Sequence, residues 1–179
     1  LMLSGRSHSL AMRVMAGAGF AYGNSARMPF EKQFYSGGSN SMRGWQARSL
    51  GPGNSPMNPL FVIPSQTGDM KLEANLEYRF PLFWKLNGAL FTDVGNVWTL
   101  NSGSTDDDGL KSDFSFSTLG QTIAANWGLG IRLDLNFLIL RLDAGIKIYD
   151  PVRDRRWVSP KEWGSRDSFA LHFGVGYPF

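Results

Sequence analysis

Polar and apolar residues alternate one by one over long stretches of this chain. In Asp69–Phe80, the residues Met70, Leu72, Ala74, Leu76, Tyr78 and Phe80 are apolar, while Asp69, Lys71, Glu73, Asn75, Glu77 and Arg79 are polar or charged. A period of two places every charge on one face of a strand; a helix would scatter the same residues around its circumference. The same alternation predicts strands over Leu10–Tyr22, Leu86–Trp98, Thr122–Asp134, Leu138–Ile148 and Phe169–Phe179. Each runs for about 11 to 13 residues. A tilted strand needs roughly 9–11 to cross a membrane, and strands of soluble sheets are nearer 5–6.

The connections alternate too. Pro81–Lys85 and Leu135–Phe137 are short, whereas Asn24–Thr67, Thr99–Gln121 and Tyr149–Asp167 are long and polar. Outer-membrane β-barrels have this layout, with long loops outside and short turns in the periplasm, which would put the C-terminus on the periplasmic side. Tyr22, Tyr78, Phe80, Phe83, Trp84, Trp98, Tyr149 and Tyr177 fall near the ends of the predicted strands, where aromatic girdles lie.

The alternative is a soluble barrel or sandwich, which needs an apolar core face. Here the second face carries Lys71, Glu73, Glu77, Arg79, Arg141, Asp143 and Lys147. Those charges would be costly in a dry core and suit a wide, wet lumen. Six strands do not close a barrel, since the smallest use about eight and lipid tolerates no open edge. The remaining strands are expected from upstream sequence, another chain or an unusual assembly.

Composition narrows the picture further. The chain has 179 residues, no cysteine and a formal charge of +3. No disulfide or thiolate metal site is available, and the mild, scattered charge argues against a nucleic-acid partner. No run approaches the roughly 18 consecutive apolar residues of a membrane helix, which leaves strands untouched as a means of crossing. The opening residues, Leu1 to Arg6, have neither a basic region nor a long apolar region, so no signal peptide is read there.

Asn24–Thr67 is too long for a passive connection. Its middle reads Phe34-Tyr35-Ser36-Gly37-Gly38-Ser39-Asn40-Ser41-Met42-Arg43-Gly44-Trp45, a composition that suggests a compact loop packed against something. Gly37, Gly38 and Gly44 would permit tight turns or close approach of the backbone. They do not make a phosphate cradle, because no Lys-Ser/Thr follows. Asp106-Asp107-Asp108 lacks the spacing of a calcium loop and reads as a solvated acidic stretch. His8 and His172 sit on separate elements without metal-ligand spacing and read as structural. Nothing resembles a nucleophile elbow, so no catalytic residue, metal or cofactor is expected.

The run Phe34–Trp45 resembles the signature loop of the BamA/TamA superfamily of outer-membrane assembly and translocation barrels, in which a Gly-Gly step precedes an Arg-Gly-aromatic step. The resemblance continues through Leu76-Glu77-Tyr78-Arg79-Phe80-Pro81, Phe91-Thr92-Asp93-Val94-Gly95-Asn96-Val97-Trp98 and the terminal Phe179, in order over essentially the whole chain. The loop is most similar to Bacteroidetes members. Trp45 stands where many members have Phe or Tyr, and Met42 where Val is common; both keep an apolar side chain.

The resemblance implies that residues 1–179 are the C-terminal six strands of a sixteen-stranded barrel, whose upstream strands and POTRA repeats lie outside this sequence. It implies a loop of about 24–67 tucked into the lumen, with its Arg on acidic residues of the inner wall. Parity offers Glu77 and Asp93 as the inward partners of Arg43, within a loop motif of Gly37, Gly38, Arg43, Gly44 and Trp45. A guanidinium can fork across carboxylates in a way an ammonium cannot. Phe173, Val175, Tyr177 and Phe179 resemble the C-terminal signal by which such barrels are recognised for insertion. In this family the last strand also meets the first at a lateral seam, where a weak partner would leave backbone groups free for a client strand. The implied function is non-enzymatic assembly or insertion of outer-membrane proteins, with TamA-like translocation or a porin-like channel as alternatives. The implied partners are the lipid bilayer, unfolded client barrels and periplasmic or lipoprotein accessory subunits.

Overall fold

The computed structural model describes residues 8–23, 28–56, 66–100 and 111–179. Six strands account for most of them: β1 (Ser9–Ala18), β2 (Met70–Phe83), β3 (Leu86–Trp98), β4 (Ala124–Asp134), β5 (Ile139–Tyr149) and β6 (Phe169–Val175). They form one sheet in the order β1-β2-β3-β4-β5-β6, each antiparallel to the next. The fold is all-β, a partial barrel, and among the described residues no helix is long and apolar enough to cross a membrane.

The alternation sets the register. Asn75 lies opposite Asp93, which lies opposite Asn126, and Arg13 lies opposite Asn75, so one face carries a polar row across four strands. The other face is apolar and open: Val14 is 70% and Phe173 67% exposed, while Glu77 is 0%. This inverts a soluble protein, as expected where lipid takes the place of core.

Two tight turns join the strands at one end. Trp84 adopts φ 52° between β2 and β3, and Asn136 φ 73° between β4 and β5. Asn tolerates the left-handed region better than most residues, and here Asp134 Oδ1 also accepts from the Asn136 amide at 2.8 Å. Pro81, expected in the turn, lies within β2, where a register shift between Pro81 and Phe83 accommodates its missing N–H.

Several expectations are corrected at strand ends. β1 stops at Ala18 rather than Tyr22, because β2 begins opposite it at Met70 and only the Gly19 amide continues the ladder, donating to the Asp69 carbonyl. Thr122 belongs to a single helical turn, Leu119–Thr122, instead of opening β4. β6 ends at Val175 rather than Phe179: Gly176 turns to φ 82°, and Pro178 has no amide to extend the ladder. Trp98, expected in a girdle, is fully buried, its indole donating to Thr122 Oγ1 at 2.9 Å.

The sheet is curved. Flat, β1 and β6 would stand about 24 Å apart, five spacings of roughly 4.8 Å. Yet Arg13 of β1 donates to the Asn40 carbonyl, and His172 of β6 lies 3.2 Å from the Arg43 carbonyl. One short loop touches both edges, so the strands wrap around it.

Candidate functional site

The loop is shaped by its glycines before it meets the wall. Gly37 and Gly38 adopt φ 97° and 101°, conformations that strain any residue with a Cβ. The chain then closes on itself, with the Gly38 amide donating to the Trp45 carbonyl at 2.9 Å and Trp45 back to Met42 at 3.1 Å. Met42, Trp45 and Leu50 form a small apolar cluster with Ala124 at the start of β4. Phe34 pairs with Gly68, tethering the loop to the approach of β2.

Arg43 occupies the apex and is 1% exposed. Its Nε and Nη2 fork onto Asp93 at 3.0 and 2.8 Å, its own amide donates to Asp93 Oδ2 at 3.1 Å, and Nη1 donates to Glu77 at 2.5 Å. The Phe91 ring lies 3.6 Å beneath the guanidinium carbon. Burial works against the charge of Arg43, but the hydrogen bonds and charge of Asp93, then Glu77, outweigh it and hold the group above its ordinary value.

Each carboxylate is shared. Asp93 also accepts from Asn75 at 3.0 Å and Asn126 at 2.9 Å. Glu77 also accepts from Arg79 at 2.7 Å and Arg132 at 3.1 Å. Arg132 continues to Asp143 at 2.5 Å, which receives Arg141 at 3.1 Å; Arg141 reaches back to the loop at the Ser39 carbonyl, 2.8 Å away. A second anchor lies nearby, where Ser36 and Ser41 both donate to Glu73. The network spans β2 to β5 and returns to its origin.

Close approach requires small residues on both surfaces. A Cβ on Gly44 would come within 2.6 Å of the Asn126 side chain. A Cβ on Gly145 of β5 would overlap the Arg43 carbonyl. Gly17 and Gly174 serve the same purpose for the Phe34 ring and the Arg141 guanidinium.

The structure therefore brings Arg43, Glu77 and Asp93 together with Gly37, Gly38, Gly44 and Trp45 around them. Phe173 and Val175 point away, exposed on the outer side. Tyr177 and Phe179 depart from them: the Tyr177 ring lies 4.1 Å from the guanidinium carbon of the inward-facing Arg79, and the Phe179 ring turns inward to 5.2 Å from Arg13 and 5.8 Å from Arg43. Asp106-Asp107-Asp108 lies outside the described residues. Among the described residues no cluster of His, Asp or Glu could hold a metal ion. Sequence reading left Asn126, Arg132, Arg141, Asp143 and His172 without partners. Their inward parity is visible, and Arg132 meets Asp143 across the short β4–β5 hairpin, but joining them to Glu77, Asp93 and the loop needs the register across the long connections.

Residues 2–179 match a sequence profile described as the Omp85 superfamily domain. Among curated proteins, the outer membrane protein assembly factor BamA of Neisseria meningitidis serogroup B is 30% identical over 112 residues. The match covers 60% of this chain and spans only 13% of that protein's length.

Proposed function

The chain belongs to the Omp85 superfamily, and on that premise we propose that it is the C-terminal part of a BamA-like factor that inserts outer-membrane proteins. Residues 1–179 supply six strands of a sixteen-stranded barrel in the bacterial outer membrane. The long connections lie outside or in the lumen, and the C-terminus is periplasmic. The work is physical rather than covalent. A lateral seam beside β6, with Phe173, Val175, Tyr177 and Phe179 as its last-strand signal, admits an unfolded client strand by β-augmentation. Accessory subunits of the periplasm or lipoprotein class act with it.

One observation carries this reading: Arg43 locks the Gly37–Trp45 loop to β2 and β3 while fully buried. A passive pore needs open water along its axis, and a loop fixed across four strands supports a different use of the lumen. The test is depletion of the full-length protein, followed by complementation with wild type or Arg43→Ala. Levels of other outer-membrane barrels should fall on depletion and recover only with wild type. Unchanged levels on depletion would overturn the insertion reading in favour of translocation.

A further inference from the structure

The segment joining β5 to β6 turns outward onto the apolar wall. Trp127 of β4 lies on the face opposite the buried Asn126, and the Trp163 ring packs edge-on against it with centroids 5.5 Å apart. Tyr149 lies opposite Ala125 on the same outer side, past a bulge, and Trp157 packs edge-on to it at 5.1 Å. The Tyr149 hydroxyl donates to the Gly120 carbonyl at 2.8 Å, joining this segment to that of Phe114 and Phe116. The result is an aromatic belt at the loop end, in which Trp157 is 68% and Phe116 84% exposed. Such belts mark the depth of the membrane interface.

The charges of the segment divide into two sets. Asp150 and Glu162 are neutralised by Lys147 and Arg153. Arg155, Arg156, Lys161 and Arg166 make no ion pair among the described residues, and the acids left unpaired beside them are Asp154 and Asp167. An excess of cations therefore sits beside the belt. The tight-turn end is different: Phe83, Trp84 and Phe137 are exposed there, but the two turns carry one cation, Lys85, and one acid, Asp134, and so no excess charge.

We infer that segment 150–168 is a docking surface for phosphate-bearing lipid headgroups of the leaflet at the loop end. This rests on the membrane orientation proposed above. The belt fixes the depth, and at that depth the available anion is a lipid phosphate. Arginine binds phosphate by two parallel N–H donors, and the neighbouring indole rings cover the first acyl carbons. Among the described residues the four cations make no ion pair, which leaves them for a partner outside the chain.

The full-length protein is reconstituted in phosphatidylcholine vesicles with or without lipid A, extracted in detergent, and its retained lipid measured by mass spectrometry. Wild type should retain lipid A over phosphatidylcholine, and retention should fall with salt. R155A/R156A/K161A should lose about a hundredfold, near fivefold for each basic group at an anionic surface. R155K/R156K should keep part of it. Equal retention by wild type and the triple variant would overturn the inference, as would full displacement by inorganic phosphate at matched phosphorus. Client insertion in phosphatidylcholine vesicles is measured in parallel. It should be unaffected in the triple variant, so a failed insertion assay bears on the proposed function and failed lipid retention bears on this surface.

Discussion

A guanidinium that donates to two carboxylates on two strands has no substitute among the other cations. Arg43→Lys keeps the charge but places one ammonium where Asp93 and Glu77 are held by separate N–H groups. It also leaves two buried acids, Glu77 and Asp93, short of the hydrogen bonds that Arg43 gave them. Breaking a buried pair costs about 3–5 kcal/mol. We expect Arg43→Lys to release the loop nearly as fully as Arg43→Ala, read as new protease cleavage within 37–45; a protected loop in the Lys variant would refute the fork. The glycines give a sharper contrast. Gly145→Ala would push a methyl into the Arg43 carbonyl and should destabilise by about 1–3 kcal/mol, the usual penalty of overpacking. Gly120→Ala meets nothing within 4 Å and should be neutral in the same denaturation experiment. Parity alone made Glu77 and Asp93 inward-facing, and the resemblance supplied Arg43 as their partner. The bond from His172 to the Arg43 carbonyl was not legible, because no local pattern links residues 129 positions apart.

At the scale of the strand, the outward rows are the ones that meet lipid. Leu129 is exposed on β4, between Gly128 and Gly130 of the inner face. Leu129→Arg should cost about 2–4 kcal/mol in urea unfolding from vesicles, the penalty for a cation near the bilayer midplane. A loss near zero would mean that this face is wet and that the barrel reading is wrong. Strand centres were legible because strict alternation sustained over a whole strand length matches the two-residue repeat of β structure and clashes with the 3.6-residue repeat of a helix. Their ends were not. β1 and β6 stop where their neighbours' ladders stop, and alternation continues past Ala18 and Val175 without a partner to pair with. Hairpin registers could be counted out from the turns at Trp84 and Asn136, whereas the registers of β1 on β2 and β3 on β4 had to come from the fold.

Across the whole molecule, the interior is a salt-bridged loop in place of an apolar core, and β1 and β6 form the two edges of the sheet. Every side-chain bond that Arg43 makes reaches forward in the chain, 34 residues to Glu77 and 50 to Asp93. Arg141 closes the network only from 101 or more residues downstream of the loop. That geometry has a consequence in time. Of the described side chains that bond the loop's 36–45 stretch, Arg13 alone precedes it, and contacts of such long sequence separation form slowly. Arg43 stays solvated until strands β2 and β3 stand beside it. The loop then acts as a mandrel: the wall is wound about a preformed apex, and the last turn of winding seals Arg43 from water.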